Sequence, residues 1–254
     1  MSKNYNSFKY EGHILIKKFI VNNSSFGKLC FKLKKDILKA YKKTDKKKIG
    51  RHIMGNLGVF IGQYEKKIYN LLIKNGLDKI IKEITNNKLS DFDIIFGGNL
   101  NLPGGYNQHF HMDGSFYKKF IIVNIATENV NEFNGPTEIT CNSHKKFTPY
   151  WKYLLKNNKN KKLFLSRGDL LIRKNELWHR GTENKSSQSR FMLSLALRKN
   201  HKKKNKICFD KNKKIIICSN FFKPSIFGKI EEIIYTRLRY FYIIIRFMKS
   251  LFKT

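Results

Sequence analysis

The sequence predicts a mainly β fold with flanking helices, a double-stranded β-helix of the jelly-roll or cupin kind, and three observations carry that expectation. From Ile94 onward helical periodicity gives way to short apolar runs parted by Gly, Pro and Asn. Residues 189–198 alternate at period two, with Phe191, Leu193, Leu195 and Leu197 on one face and Arg190, Met192, Ser194 and Ala196 on the other. Ahead of the β-like region lie helical segments whose single apolar stripes suit packing outside a barrel.

Taken in order, residues 1–9 read as a disordered start, followed by a strand at Gly12 to Ile16 that continues through Phe19 to Val21. Ser24 or Ser25 caps a helix in which Leu29, Leu33, Ile37, Leu38 and Tyr41 recur at three and four, and a lysine-rich loop, Lys42 to Lys48, ends it. Gly55 and Gly58 frame a flexible entry to a second helix, Phe60 to Asn75, stopped by Gly76. A shorter helix runs from Leu77 to Thr85.

Strands are expected at 94–96, 119–127 and 137–140, with residues 99–108 forming a loop. A short helix covers Pro149 to Leu155, a polar loop covers 157–162, and Gly168 turns the chain into a strand from Asp169 that extends to Trp178. Lys206 to Phe209 and Ile215 to Cys218 read as a hairpin. The organisation is then one domain over 1–220, helical to residue 92 and β from 93, followed by a C-terminal amphipathic helix within 221–254. In that helix Ile230, Ile233, Ile234, Leu238, Phe241, Ile245 and Met248 share one side, which docks on the barrel, pairs with a second copy or lies on anionic lipid.

A chain of 254 residues with 41% hydrophobic content can bury a sizeable core. Its net charge of 52 − 18 = +34 would ordinarily point to a polyanion, but only nine of the 52 basic residues are Arg and they gather into no motif. Codon drift in an A/T-rich genome with a solvated lysine surface accounts for the excess better than a nucleic-acid site does. Four cysteines without CxxC spacing, and no apolar leader before them, indicate a reduced, cytoplasmic setting. No run reaches the roughly 18 uncharged apolar residues of a spanning helix.

The chemistry concentrates in Asn107-Gln108-His109-Phe110-His111-Met112-Asp113-Gly114. In extended chain, residues two apart share a face, so His111 and Asp113 set an imidazole beside a carboxylate. His179, 68 residues later, supplies a third ligand. Two His and one carboxylate on one face of a metal leave positions open, as in non-haem Fe(II) oxygenases, whereas structural zinc fills its shell with protein. Arg190, eleven residues beyond His179, falls on the inward face of its strand with no sequence-local carboxylate. Its planar fork suits bidentate capture of a ligand carboxylate. Asn124 falls on an inward face by the same alternation. His109 shares the face of His111 as a rim residue, and Cys141 and His144 read as structural.

His111-x-Asp113, then Gly168-Asp169-Leu170-Leu171 leading to Trp178-His179, then Arg190, together resemble the phytanoyl-CoA hydroxylase-like family of Fe(II)- and 2-oxoglutarate-dependent dioxygenases. Asn134-Gly135-Pro136-Thr137-Glu138 and Asn142-Ser143-His144-Lys145 look like the segment that family places between its metal-ligand strands. The likeness runs from about 94 to 198. It implies that His111, Asp113 and His179 hold iron and that Arg190 grips the distal carboxylate of 2-oxoglutarate. It further implies that O2 and a small-molecule substrate are the remaining partners, with succinate and CO2 released. The small hydroxyl residue often found two after the second His is Gly181 here, which passes any hydroxyl contact with the cosubstrate to Thr182.

Asp113 argues against a halogenase, which needs that ligand position open for halide. A Lys at 190 would suit the prolyl-hydroxylase branch, and a second Arg at other intervals the nucleic-acid demethylases; neither is present. The rival of a different class is a non-catalytic basic cupin that uses its lysines to sit on nucleic acid or anionic membrane. Such a protein has no need of two imidazoles, a carboxylate and an arginine in register, so the sequence favours the hydroxylase, as monomer or homodimer. The excess of lysine favours an anionic substrate.

Overall fold

The structure is a computed structural model and describes residues 3–21, 24–45, 56–200, 209–218 and 226–251. Its elements in chain order are α1 (Lys3–Tyr10), β1 (His13–Ile16), α2 (Ser24–Lys43), β2 (Asn56–Phe60), α3 (Glu65–Lys74), α4 (Leu77–Thr85), β3 (Phe92–Asn101), β4 (Phe120–Ala126) and β5 (Thr137–Thr140). There follow α5 (Tyr150–Leu155), β6 (Asn160–Leu163), β7 (Leu170–Lys174), β8 (His179–Gly181), β9 (Arg190–Lys199), β10 (Ile216–Cys218), α6 (Ile226–Arg237) and α7 (Arg239–Leu251).

The strands form a seven-stranded sheet in the order β1-β7-β4-β9-β3-β2-β10 and a three-stranded sheet β6-β5-β8, with every pairing antiparallel. This is the expected double-stranded β-helix. Alternation along the strands decides what each face meets. On β9, Phe191, Leu193, Leu195 and Leu197 are almost fully buried in the main core, where they join Leu33 and Ile37 of α2, Ile68 and Leu72 of α3, and Leu77 and Ile81 of α4. The helices therefore pack on the outer face of the large sheet. Burying a side chain of this size contributes about 1.5–3 kcal/mol, and this layer fixes the sheet against which the site is built. The other face of β9, carrying Arg190, Met192, Ser194 and Ala196, lines a cavity.

Several expectations are corrected. Residues 3–9 are helical, because Phe8 is 5% exposed and anchors α1 in the core. Residues 17–20 are turn and bend, not a continuation of the first strand. Gly58 lies inside β2, which pairs with β3 on one side and β10 on the other while Leu57 and Val59 enter the core. Two-sided pairing overrides the local flexibility of glycine. β3 is longer than expected and includes 99–101. Residues 160–163 form the edge strand β6, whose exposed Lys161 and Lys162 give it a loop-like composition while Leu163 is buried. β10 pairs with β2 and makes no hairpin with Phe209, which is coil; residues 206–208 lie outside the described residues, as does the lysine run 46–48.

Candidate metal centre

His111 and His179 come from chain segments that pair through a single antiparallel bridge, with His111 N–H donating to His179 O and His179 N–H to His111 O, both at 2.9 Å. The extended segment expected around His111 is thus reduced to one bridge, although His111 and Asp113 still share a side. The second ligand segment also differs: β7 ends at Lys174, a turn follows, and β8 begins a new strand in the small sheet. His179 stands where the chain changes sheets.

Asn175 holds that turn. It is fully buried; its Nδ2 donates to the carbonyls of Asp113, Ser115 and Lys118 at 3.0–3.2 Å, and its Oδ1 accepts from Phe120 N–H. Asp113 N–H in turn donates to Asn175 O. One amide therefore fixes the loop bearing the carboxylate to the turn that delivers His179.

The three candidate ligands offer donor atoms all within 4.8 Å of one another. His111 Nε2 lies 3.9 Å from Asp113 Oδ1, and His179 Nε2 lies 3.5 Å from Asp113 Oδ2. Each imidazole has Nδ1 at 2.9 Å from a backbone carbonyl, His109 O for His111 and Leu177 O for His179. A carbonyl only accepts, so these shorter contacts favour the Nδ1–H tautomer in each ring, over the 3.5 Å approach of Arg173 Nη1 to His179 Nδ1, and set each Nε2 lone pair on the side of the carboxylate. Burial pushes the pKa of both rings down, that of His179 to about 3, where Arg173 adds to the effect. Burial pushes the Asp113 carboxyl the other way, but Arg173, His179 and His111 more than offset it and hold it well below the usual carboxylate range. Two neutral imidazoles and an ionised carboxylate are a donor set that suits a divalent transition metal, and iron(II) among them.

Arg173 was not anticipated. It is the penultimate residue of β7, on the inward parity with its Nη2 2.6 Å from Asp113 Oδ2, is 6% exposed, and leaves Nε without a hydrogen-bond partner. The sequence signal was its parity with Leu171, which faces the small sheet. Gln108, also unassigned, brackets Gly181: its Oε1 accepts from Gly181 N–H and its own N–H donates to Gly181 O. A Cβ at Gly181 would sit 3.1 Å from Asn56 Nδ2 and Gln108 Oε1, so the residue the sequence reading found out of pattern is held in a tight slot.

Arg190 lines the same cavity and is 3% exposed. Its Nε donates to Asn134 O at 3.3 Å and its Nη2 to Gly135 O at 2.5 Å; burial lowers its pKa to about 10, with Glu128 opposing. Two of five N–H donors are used, and no carboxylate among the described residues pairs with it. Asn124 also lines the cavity and donates to Ser194 Oγ at 3.2 Å. Thr182, expected to contact the cosubstrate, is not among the lining residues: its hydroxyl is buried and donates to Pro136 O at 2.7 Å.

The cavity, about 1370 Å³, lies between the sheets and is closed on one side by the C-terminal helices. Of the fates the sequence leaves open for the C-terminal helix, contact with the barrel falls to the face opposite its exposed apolar residues. Tyr235 accepts His109 N–H at 2.9 Å, the His109 ring stacks on Tyr242, Arg246 donates to Phe110 O at 3.0 Å and sits 3.9 Å over the Tyr150 ring, and Ser250 Oγ accepts Trp151 N–H. The aromatic and arginine face is inward. Cys141 and His144 lie away from the cavity, with His144 Nε2 3.0 Å from Lys9 O.

A β-helix with two histidines and one carboxylate facing a cavity is the scaffold of a non-haem metalloenzyme. Residues 67–192 match the family model described as Phytanoyl-CoA dioxygenase (PhyH). Among solved structures the chain is similar to the non-haem alpha-ketoglutarate-dependent carbocyclase SnoK from nogalamycin biosynthesis, with TM-score 0.60 and 12% identity, over 78% of this chain and 84% of that one. It is similar also to EvdO2 from Micromonospora carbonacea var. aurantiaca complexed with 2-oxoglutarate, with TM-score 0.58 and 9% identity, over 79% of this chain and 91% of that one. A third is EctD from S. alaskensis with bound Fe, with TM-score 0.58 and 14% identity, over 78% and 76%. At these identities the likeness is one of fold. No curated protein matches the sequence.

Proposed function

We propose that this protein is an Fe(II)- and 2-oxoglutarate-dependent dioxygenase that hydroxylates a small anionic organic substrate. The observation that carries this reading is the pair of Nδ1-to-carbonyl contacts at His111 and His179, which leaves two Nε2 lone pairs beside the ionised Asp113. His111, Asp113 and His179 would hold the iron. With both groups bound, iron and 2-oxoglutarate supply the oxidation: substrate, O2 and 2-oxoglutarate become hydroxylated product, succinate and CO2.

The chain's own groups orient and shield. Arg190 takes the distal carboxylate of 2-oxoglutarate with the donors its two carbonyl partners leave unused, and Asn124 lies along the same face. Arg173 ties down one oxygen of Asp113, which favours single-oxygen contact with a metal. Lys118, Lys119, Arg198, Lys199 and Arg246 line the cavity with Arg173 and Arg190, whereas Asp113 is its one lining carboxylate among the described residues. Seven cations against one anion favour a negatively charged substrate. Residues 1–220 form the catalytic unit in this reading, and Tyr235, Tyr242 and Arg246 of α6 and α7 supply one wall of its cavity.

The test is iron-dependent succinate formation from 2-oxoglutarate by purified protein, screened against metabolite pools, with mass spectrometry seeking a product heavier by one oxygen. The reading expects succinate only with Fe(II) and none from His179→Ala. Undiminished iron-dependent turnover in that variant would overturn it.

A further inference from the structure

α6 and α7 are almost one continuous helix, bent at Leu238 but carried through the bend by hydrogen bonds from Leu238 N to Ile234 O and from Tyr242 N to Leu238 O. Its inner face is committed to the cavity wall. Among the described residues its outer face is apolar and exposed: Ile226, Ile230 and Ile233 on α6, then Phe241, Ile244 and Met248 on α7, at spacings of three, four and eight that keep one side of a helix. Exposure is 76% at Ile226 and 57% at Phe241, and Tyr240 beside them is 86% exposed. At roughly half-exposure each, such side chains present on the order of 800 Å² of apolar surface, beyond the largest patch of an ordinary soluble monomer.

The charge around the stripe says what covers it. Between 221 and 254 the sequence has, besides the inward-facing Arg246, six Lys and Arg and two Glu. α5, which packs on α7, adds exposed Lys152 and Lys156 next to exposed Leu154 and Leu155, and Lys249 is exposed on α7 itself. No helix among the described residues is long and apolar enough to cross a membrane. An apolar stripe bordered by aromatics and lysines, on a helix bent at Leu238 and too charged to span, is the pattern of a helix lying in the headgroup region of anionic lipid.

We propose that the bent helix α6–α7, with the adjoining end of α5, seats the protein on an anionic membrane surface, so that the segment walling the cavity is also the one that meets lipid. This rests on the exposed face and not on the metal centre.

The full-length chain is incubated with sedimentable vesicles of phosphatidylcholine alone or with added phosphatidylglycerol. Binding is expected to be at least about tenfold stronger to the anionic vesicles and to fall as salt rises. Ile244→Glu with Met248→Glu, at exposed positions outside the cavity wall, should abolish pelleting without moving the thermal midpoint. Lys152→Glu with Lys249→Glu should remove the preference for the anionic lipid. Binding to neither vesicle, equal binding to both, or binding indifferent to these substitutions overturns the proposal. So does a dimer that Ile244→Glu with Met248→Glu dissolves in the absence of vesicle binding, which would give the face to a second copy, or loss of the thermal transition in that variant, which would make the stripe core.

Discussion

Replacing Arg190 by Ala separates cosubstrate binding from metal binding. The guanidinium spends Nε on Asn134 O and one Nη2 proton on Gly135 O, so three donors remain for a ligand on the cavity side. A charge-assisted contact of this kind contributes about 1.5–3 kcal/mol, and about 1.4 kcal/mol is a factor of ten. 2-Oxoglutarate affinity should therefore fall by roughly 10- to 150-fold. The candidate ligands make no contact with Arg190, so metal affinity should stay within about twofold. Two buried carbonyls lose their donor while a buried charge is relieved, for a net loss of about 1–2 kcal/mol, or about 2–8 °C in midpoint. Calorimetry with Mn(II) as a redox-inert metal reads both ligands on one preparation, and Arg190→Lys, keeping charge but not the fork, should fall between. Equal losses of metal and 2-oxoglutarate, or no loss of either, would show that Arg190 does not act on the cosubstrate.

Asp169 is 1% exposed and accepts from Lys17 Nζ, Lys18 N–H and Ser166 N–H, so Asp169→Ala should cost about 3 kcal/mol of stability, measurable by urea unfolding; a change under about 1 kcal/mol would contradict this. Asn175→Ala should lower metal affinity as well as stability, because the loop of Asp113 loses its tether, and unchanged metal binding in calorimetry would count against that coupling. Gly135 has φ +80, and a Cβ there would meet Asn101 Nδ2 at 2.0 Å; Gly135→Ala should lower the thermal midpoint clearly more than Gly104→Ala, which has φ +72 but open space. Burial holds His13, His144, His111 and His179 below the ordinary 6.5, so between their folded values and 6.5 the unfolded chain binds more protons. Metal-free stability should be full above about pH 6.5 and decline as pH falls below it; a flat midpoint from pH 7.5 to 5 would refute the assignment of neutral buried rings.

The ligand set and Arg190 were legible because each rests on parity over a few residues: two apart for His111 and Asp113, and the alternation of β9 for Arg190. Asn175 and Gln108 were not, since their work is to join segments about 60 to 75 residues apart, and nothing local marks a buried amide that ties loops. Arg173 sat in an apolar run whose parity was available, but an arginine at a strand end also reads as solvated. β2 and β6 were missed because pairing partners, not composition, make them strands. The contact face of the C-terminal helix was not legible, because its apolar stripe was equally compatible with docking, pairing or lipid; the rim of the site offers His109 N–H, Phe110 O and Trp151 N–H, and a tyrosine, arginine and serine face answers those groups.

The most direct test of the metal centre is anaerobic titration of Fe(II) into the protein with saturating 2-oxoglutarate, followed by the visible charge-transfer absorption of the chelated keto acid. The account predicts one iron per chain and a band that is absent from His179→Ala and Asp113→Ala. No band in the native protein, or a band of full intensity in His179→Ala, would contradict it.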